Sequence, residues 1–138
     1  MAEVPQRTVL MADDDPEDCW LATEAFAESG VNAHFSCVLD GVELMDHLSD
    51  RARTNTTELP SLILLDLNMP RKDGREALIE IKSEPTLKHI PIGILTTSKE
   101  EKDVAFSKQV GATSFITKPA TFDEWIEIMK SLAETWLK

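Results

Sequence analysis

Basic residues are scarce in this chain: 14 Lys and Arg stand against 25 Asp and Glu, a formal charge of −11 over 138 residues. Phosphate backbones are held by clustered cations, so no nucleic-acid face is expected. No apolar run approaches the roughly 20 residues needed to cross a bilayer, and the leading stretch Met1–Arg7 has no apolar h-region. A soluble cytoplasmic protein without a membrane partner is the expectation. Cysteine is limited to Cys19 and Cys37. They have neither Cys-x-x-Cys spacing nor the density of a secreted scaffold, so both read as buried free thiols. The three histidines, His34, His47 and His89, are scattered, which argues against a His-ligated metal or a histidine base.

What is present is an alternation of two periods. Short β-type runs at Thr8–Ala12, Ala33–Val38, Leu62–Asp66, Ile90–Leu95 and Thr113–Thr117 alternate with helix-period segments. The helical segments are Glu17–Ser29, Gly41–Ser49, Gly74–Ser83, Glu100–Val110 and Phe122–Leu137. Five βα units predict an α/β fold with a parallel sheet. The 42% hydrophobic content suffices for one core in one domain spanning residues 1–138. Near-continuous apolar runs such as Leu62–Leu65 suit strands covered by helices on both faces. Ser29-Gly30, Pro60 and Gly111 punctuate the boundaries. The polar stretch Asp50–Glu58 is expected to be a long solvated loop.

Chemistry gathers at the strand ends. The first run ends in Asp13-Asp14-Asp15, the third in Asp66, the fourth in Thr96-Thr97-Ser98 and the fifth in Thr117-Lys118-Pro119. In a parallel sheet these ends share one edge, where open α/β folds place ligands. Singly, each acid reads as a solvated strand end or a helix cap, as Asp15 does before Pro16-Glu17. Together, Asp13, Asp14 and Asp66 would repel one another by about 3 kcal/mol per pair at about 5 Å and an effective dielectric near 20. A hard divalent cation such as Mg²⁺ answers that repulsion with oxygen ligands, and Lys118 supplies a further positive charge.

The runs Val-Leu-Met-Ala-Asp-Asp-Asp-Pro, Leu-Leu-Asp-Leu-Asn-Met-Pro with Asp-Gly following, Ile-Leu-Thr-Thr-Ser and Phe-Ile-Thr-Lys-Pro resemble, in order and over nearly the whole chain, the receiver domains of two-component response regulators. The resemblance implies a doubly wound (βα)5 domain with sheet order 2-1-3-4-5. It also implies that Asp66 is the phosphoacceptor and that Asp13 and Asp14 join it in holding Mg²⁺, with the backbone carbonyl of Asn68 as a further ligand. Thr96 matches the hydroxyl that moves to meet the phosphoryl group, Lys118 the lysine that pairs with it, and Phe115 the aromatic switch. The Lys118-Pro119 bond matches a peptide that is often cis in the family. Such a protein takes phosphate from a phosphohistidine of a sensor histidine kinase. It acts as a switch that phosphorylates and dephosphorylates itself, not as a turnover enzyme.

At 100° per residue the last helix places Phe122, Trp125, Ile126, Ile128, Met129, Leu132, Ala133, Trp136 and Leu137 on an arc of about 180°, where a sheet-packing stripe needs about 100°. The excess reads as a homodimer or target surface, with Trp125 and Trp136 as anchors. No output domain follows this helix in the sequence, so output by protein contact through the face made by the fourth helix, fifth strand and fifth helix is expected. The Leu-Asp-Leu-Asn-Met-Pro-Arg-Lys-Asp-Gly-Arg-Glu run, the long loop and the Trp-rich last helix are similar to stand-alone regulators of phytochrome-type kinases. Two other readings are a phosphatase of the haloacid-dehalogenase type, which usually has a second Asp where Asn68 stands, and a phosphorylation-independent binding module on a receiver fold.

Overall fold

The computed structural model describes residues 7–54 and 59–137. Its elements run β1 (Thr8–Ala12), α1 (Pro16–Glu28), β2 (His34–Val38), α2 (Gly41–Thr54), β3 (Leu62–Leu65), α3 (Gly74–Ser83), β4 (Ile92–Thr96), α4 (Glu101–Val110), β5 (Ser114–Thr117) and α5 (Phe122–Trp136). All strand pairs are parallel, and the order is β2-β1-β3-β4-β5, as expected.

The side-chain period of two sorts each central strand between two cores. Leu10, Ala12, Ile63, Leu65, Ile92 and Ile94 face α2 and α3, where Leu44, Leu48, Leu78 and Ile81 meet them. Val9, Met11, Leu62, Leu64 and Leu95 face α1 and α5, against Ala22, Phe26, Trp125, Met129 and Leu132. Strands β3 and β4 are buried throughout, whereas the edge strand β2 alternates between exposed and half-buried residues until Val38. That contrast is what a parallel sheet covered on both faces requires.

Caps fix where the helices start and stop. The Asp15 carboxylate accepts the Glu17 N–H at 2.9 Å with Pro16 at the first helical position, and Thr121 caps α5 by accepting the Glu124 N–H. Gly111 closes α4 in the left-handed region at φ 117°, a conformation that glycine adopts without strain.

Several expectations need correction. Helix α2 runs to Thr54, so the first half of the expected Asp50–Glu58 loop is helical; residues 55–58 lie outside the described residues. The segment contains no Gly or Pro to stop the helix. Arg51 and Arg53 sit in the last turn, where cations favour the helix dipole, and Arg53 also pairs with Asp50. Strand β4 starts at Ile92 rather than Ile90, because Pro91 has no N–H for the ladder and contributes only its carbonyl, to Ile63.

Cys19 and Cys37 are joined in a disulfide, with Cα atoms 6.1 Å apart, rather than standing as free thiols. Strand β2 pairs with β1 so that Cys37 lies opposite Met11, on the sheet face covered by α1, which carries Cys19. Among the described residues no peptide bond is cis, so Lys118-Pro119 is trans. Trans is the lower-energy isomer even before proline, and Lys118 reaches its partners without the other isomer. Trp125 is 2% exposed, a core residue wedged between the sheet and α1 rather than a partner anchor. The wide apolar arc of α5 is explained by packing on two neighbours at once. Phe122 remains exposed on it, and Trp136 is half-buried.

One glycine ties the fold to the loop after β3. A Cβ on Gly74, the first residue of α3, would collide with the Asp66 carbonyl oxygen and the Leu67 Cα, both of them backbone. The Gly74 N–H donates to the Leu67 carbonyl at 2.9 Å, which holds that approach in place. Gly74→Ala is therefore expected to destabilise the protein by about 3 kcal/mol, the upper range for overpacking, despite the better helix propensity of alanine. Urea unfolding would check this, and an unchanged midpoint would sink the idea.

Candidate functional site

Backbone pairing continues one residue past the strands and places the chemistry. The Asp13 N–H donates to the Val38 carbonyl, the Asp66 N–H to the Ala12 carbonyl and the Lys118 N–H to the Thr96 carbonyl, at 3.0, 3.0 and 2.9 Å. Asp13 and Asp66 thus lie side by side at the ends of β1 and β3, and Thr96 lies beside Lys118 across β4 and β5. Lys118, at the end of β5, reaches across the end of β4 to join the acids of β3 and β1.

The Asp66 carboxylate is nearly saturated with donors. Its Oδ1 accepts the Thr96 hydroxyl at 2.9 Å and the Asn68 N–H at 3.1 Å, and its Oδ2 accepts the Lys118 ammonium at 2.9 Å. Asp13, Asp66 and Thr96 are buried, and Asp14 is exposed. Lys118 Nζ also lies 2.7 Å from Asp13 Oδ2 and 2.8 Å from Asp18 Oδ2. Burial pulls the Lys118 pKa down, but its bonds to Asp13, Asp18 and Asp66 outweigh that effect and hold it above the usual lysine range.

One ammonium does not balance this charge. Burial pushes the Asp13 carboxyl up to about 6; Lys118 and the Asp15 N–H oppose that rise, and repulsion from Asp66 adds to it. Asp13, Asp14 and Asp66 can each offer a carboxylate oxygen, all within 4.8 Å of one another. Asp13 Oδ2 is buried without a donor in hydrogen-bonding geometry, its contact with Lys118 being an ion pair. Three converging hard oxygen donors, one of them buried and met only by the shared Lys118 ammonium, fit a divalent cation such as Mg²⁺.

The structure therefore brings Asp13, Asp14, Asp66, Thr96 and Lys118 together, with Asn68 joined to Asp66 through its N–H. Phe115 stands apart from the carboxylates. It is half-buried on β5, opposite Ile94, and packs on the core under α2 and α3. Sequence reasoning missed Asp18, whose signal was its place one turn after the Asp15 cap, on the face of α1 that begins at the strand end. It also missed Arg75, Ser98 and Asp103, which form hydrogen bonds next to Asn68 and Thr96. Among the histidines, His34 and His89 are exposed, and burial lowers the pKa of His47.

The sign of the Asp13 shift fixes a pH dependence. Its folded-state pKa lies above the reference value of 3.8, so the fold holds that proton more tightly than the unfolded chain does. The stability this contributes is complete below about pH 4 and is lost as pH rises through about 6, a swing of at most about 3 kcal/mol. In metal-free buffer Asp13→Asn should melt above wild type at about pH 7.5, with no advantage left near pH 4. Thermal denaturation at both pH values checks this, and an equal difference at the two would contradict it.

Comparison with known proteins follows the same geometry. The family profile described as "Response regulator receiver domain" matches residues 9–130. Over 134 residues the chain is 34% identical to response regulator Rcp1 of Synechocystis sp., covering 97% of this chain and 91% of that one. The crystal structure of the phosphorylated cyanobacterial phytochrome response regulator RcpA superposes with a TM-score of 0.86 at 41% identity, over 96% of this chain and 95% of that one. The Mn²⁺-bound form of Rcp1 gives 0.83 at 34% identity, over 96% and 95%. The expected resemblance to phytochrome response regulators thus holds, and among the described residues no helix is long and apolar enough to cross a membrane. With its sheet order, its strand-end acids and these matches, the chain belongs to the response regulator receiver family of two-component signalling.

Proposed function

We propose that Asp66 is the phosphoacceptor of this receiver and takes its phosphoryl group in the cytoplasm from a phosphohistidine of a sensor histidine kinase. The observation that carries the reading is the Asp66 carboxylate itself, held at the sheet end by Thr96 on one oxygen and Lys118 on the other, beside two further acids. An Asp66 oxygen forms a bond to phosphorus while the phosphorus–nitrogen bond of the donor breaks; the imidazole nitrogen leaves with that electron pair and picks up a proton. Lys118 stays within reach of the transferring oxygens and offsets their charge. Mg²⁺, when bound by the carboxylates of Asp13, Asp14 and Asp66 and the backbone carbonyl of Asn68, supplies the remaining positive charge. Water then hydrolyses the acyl phosphate and resets the switch, so the protein is a phosphoacceptor and not a turnover enzyme.

A phosphoryl group of roughly −1.5 to −2 charge with three acceptor oxygens draws the Thr96 hydroxyl and the Lys118 ammonium toward it. The shift of Thr96 frees space beside β4, and Phe115 on the neighbouring strand responds by turning inward. Output passes by protein contact through the α4-β5-α5 face, including a homodimer through the C-terminal helix region, where Phe122 and Trp136, not Trp125, supply apolar surface. The likeness to RcpA supports a phytochrome-type kinase as donor. A haloacid-dehalogenase-type phosphatase is not favoured: Asn68 carries no acid, and its side-chain oxygen accepts from Arg75. A phosphorylation-independent module is not favoured either, since the acceptor, the acidic pair and the lysine are all in place.

Intact-mass spectrometry after incubation with acetyl phosphate tests the assignment. Wild type with Mg²⁺ should gain a single phosphoryl adduct, and neither Asp66→Ala nor metal-free wild type should. An adduct of equal yield on Asp66→Ala would place the acceptor elsewhere.

A further inference from the structure

Outside the strand-end acids, the buried carboxylate among the described residues is Asp103, in the first turn of α4. Buried charge is costly unless it is paired and hydrogen-bonded. Here both conditions are met by groups that lead back to Asp66. Arg75 of α3 forks onto Asp103, with Nε donating to Oδ1 at 3.0 Å and one terminal nitrogen to Oδ2 at 2.8 Å. Its other terminal nitrogen donates to the Asn68 side-chain oxygen at 3.3 Å and the Leu67 carbonyl at 3.4 Å. From the opposite side the Ser98 hydroxyl donates to Asp103 Oδ2 at 2.6 Å, while the Ser98 N–H donates to the Thr96 hydroxyl oxygen at 3.4 Å.

These bonds close a ring: Asp66, Thr96, Ser98, Asp103, Arg75, Asn68 and back to Asp66 through the Asn68 N–H. The entry to α4 depends on it. Glu100 stands at the N-cap without a side-chain capping bond, and the Glu100 N–H is instead taken by the Ser98 hydroxyl oxygen at 3.4 Å. An open cavity of about 430 Å³ lies over the ring and is lined by Asn68, Arg75, Ser98 and Asp103 among others, so the β4–α4 connection has room to move.

We infer that Arg75, Ser98 and Asp103 act as positioning residues, a latch that anchors the first turn of α4 to both sides of the phosphoacceptor, so that α4 follows when Thr96 shifts. The inference rests on Asp66 being the acceptor. The bidentate fork gives Arg75–Asp103 a fixed geometry against which a displacement of Ser98 is transmitted. Without it the loop would absorb the shift of Thr96.

Backbone amide NMR of the full chain with saturating beryllium fluoride and Mg²⁺, a stable stand-in for the phosphoryl group, separates the outcomes. Wild type should show shifts at Asp66, Asn68 and Thr96 and also along Glu101–Ser107. Ser98→Ala, which removes one hydroxyl, should keep the site shifts while losing at least half of the α4 shifts. Arg75→Lys, which keeps the charge but not the fork, should do the same, and the double variant should lose little more than either alone. Full α4 shifts in Ser98→Ala would overturn the latch even if Arg75→Lys failed to fold. A loss of site and α4 shifts in equal proportion would assign these residues a merely structural role. No site shifts in wild type would overturn the acceptor reading, and the latch with it.

Discussion

Lys118 is one ammonium serving three carboxylates, Asp13, Asp18 and Asp66, with contacts between 2.7 and 2.9 Å, and Asp14 can bring a carboxylate oxygen within 4.8 Å of those of Asp13 and Asp66. The sheet edge depends on this shared cation. Without it, Asp13 and Asp66, held side by side by the pairing of β1 with β3, would face each other at low dielectric with nothing between them. With it, burial still holds the Asp13 carboxyl above the usual carboxylate range, and repulsion from Asp66 adds a little to that rise. Three carboxylates that can bring oxygens within 4.8 Å of one another offer hard ligands suited to a divalent cation at this edge.

The rest of the fold keeps those few atoms where they are. Strands β1, β3 and β4 are covered on both faces, so their ends cannot slide without moving two cores at once. The edge strand β5 is only half-buried, and it carries both Phe115 and the approach to Lys118. Rigid acids in the centre and a less tightly packed lysine-bearing edge are a sensible division for a switch. The acids end buried strands. Of the groups proposed to respond, Phe115 and Lys118 belong to the edge strand and its end, where population shifts are less costly, while Thr96 ends the buried strand β4 and can move only its side chain.

The strand-end chemistry was legible because parallel strands all end on one side, so Asp13, Asp66, Thr96 and Lys118 could be grouped by their position in their runs alone. Element type was legible for the same reason, since the apolar runs and helix periods are long. What escaped depended on contacts between elements. Asp18 was hidden because its role needs the Lys118 side chain to reach from the end of β5 across the sheet edge to α1. Nothing in the sequence sets Asp103 apart from the other acids of α4, because its partner Arg75 comes across from α3. Trp125 was misread because the helical arc shows how much apolar surface α5 has, but not that α1 covers part of it. The Cys19–Cys37 pairing follows from the register of β2 on β1, which no spacing in the sequence encodes.

The hydrogen bonds of the resting carboxylate bear on how sharply such a switch can act. Asp66 already accepts from Thr96, Asn68 and Lys118. A phosphoryl group there would mainly redistribute donors rather than find new ones: the Thr96 hydroxyl and the Lys118 ammonium would exchange a carboxylate oxygen for a phosphoryl oxygen. Each exchange is worth only the difference between two charge-assisted bonds, well below the full strength of either. The equilibrium between resting and active states is then set by small differences, which neighbours such as Asp18 on Lys118 and Arg75 on Asn68 are placed to adjust. A ligand shifts two states only by its differential affinity for them. Residues that contact the donors, without contacting phosphate, are therefore where tuning of the signal is most economically placed.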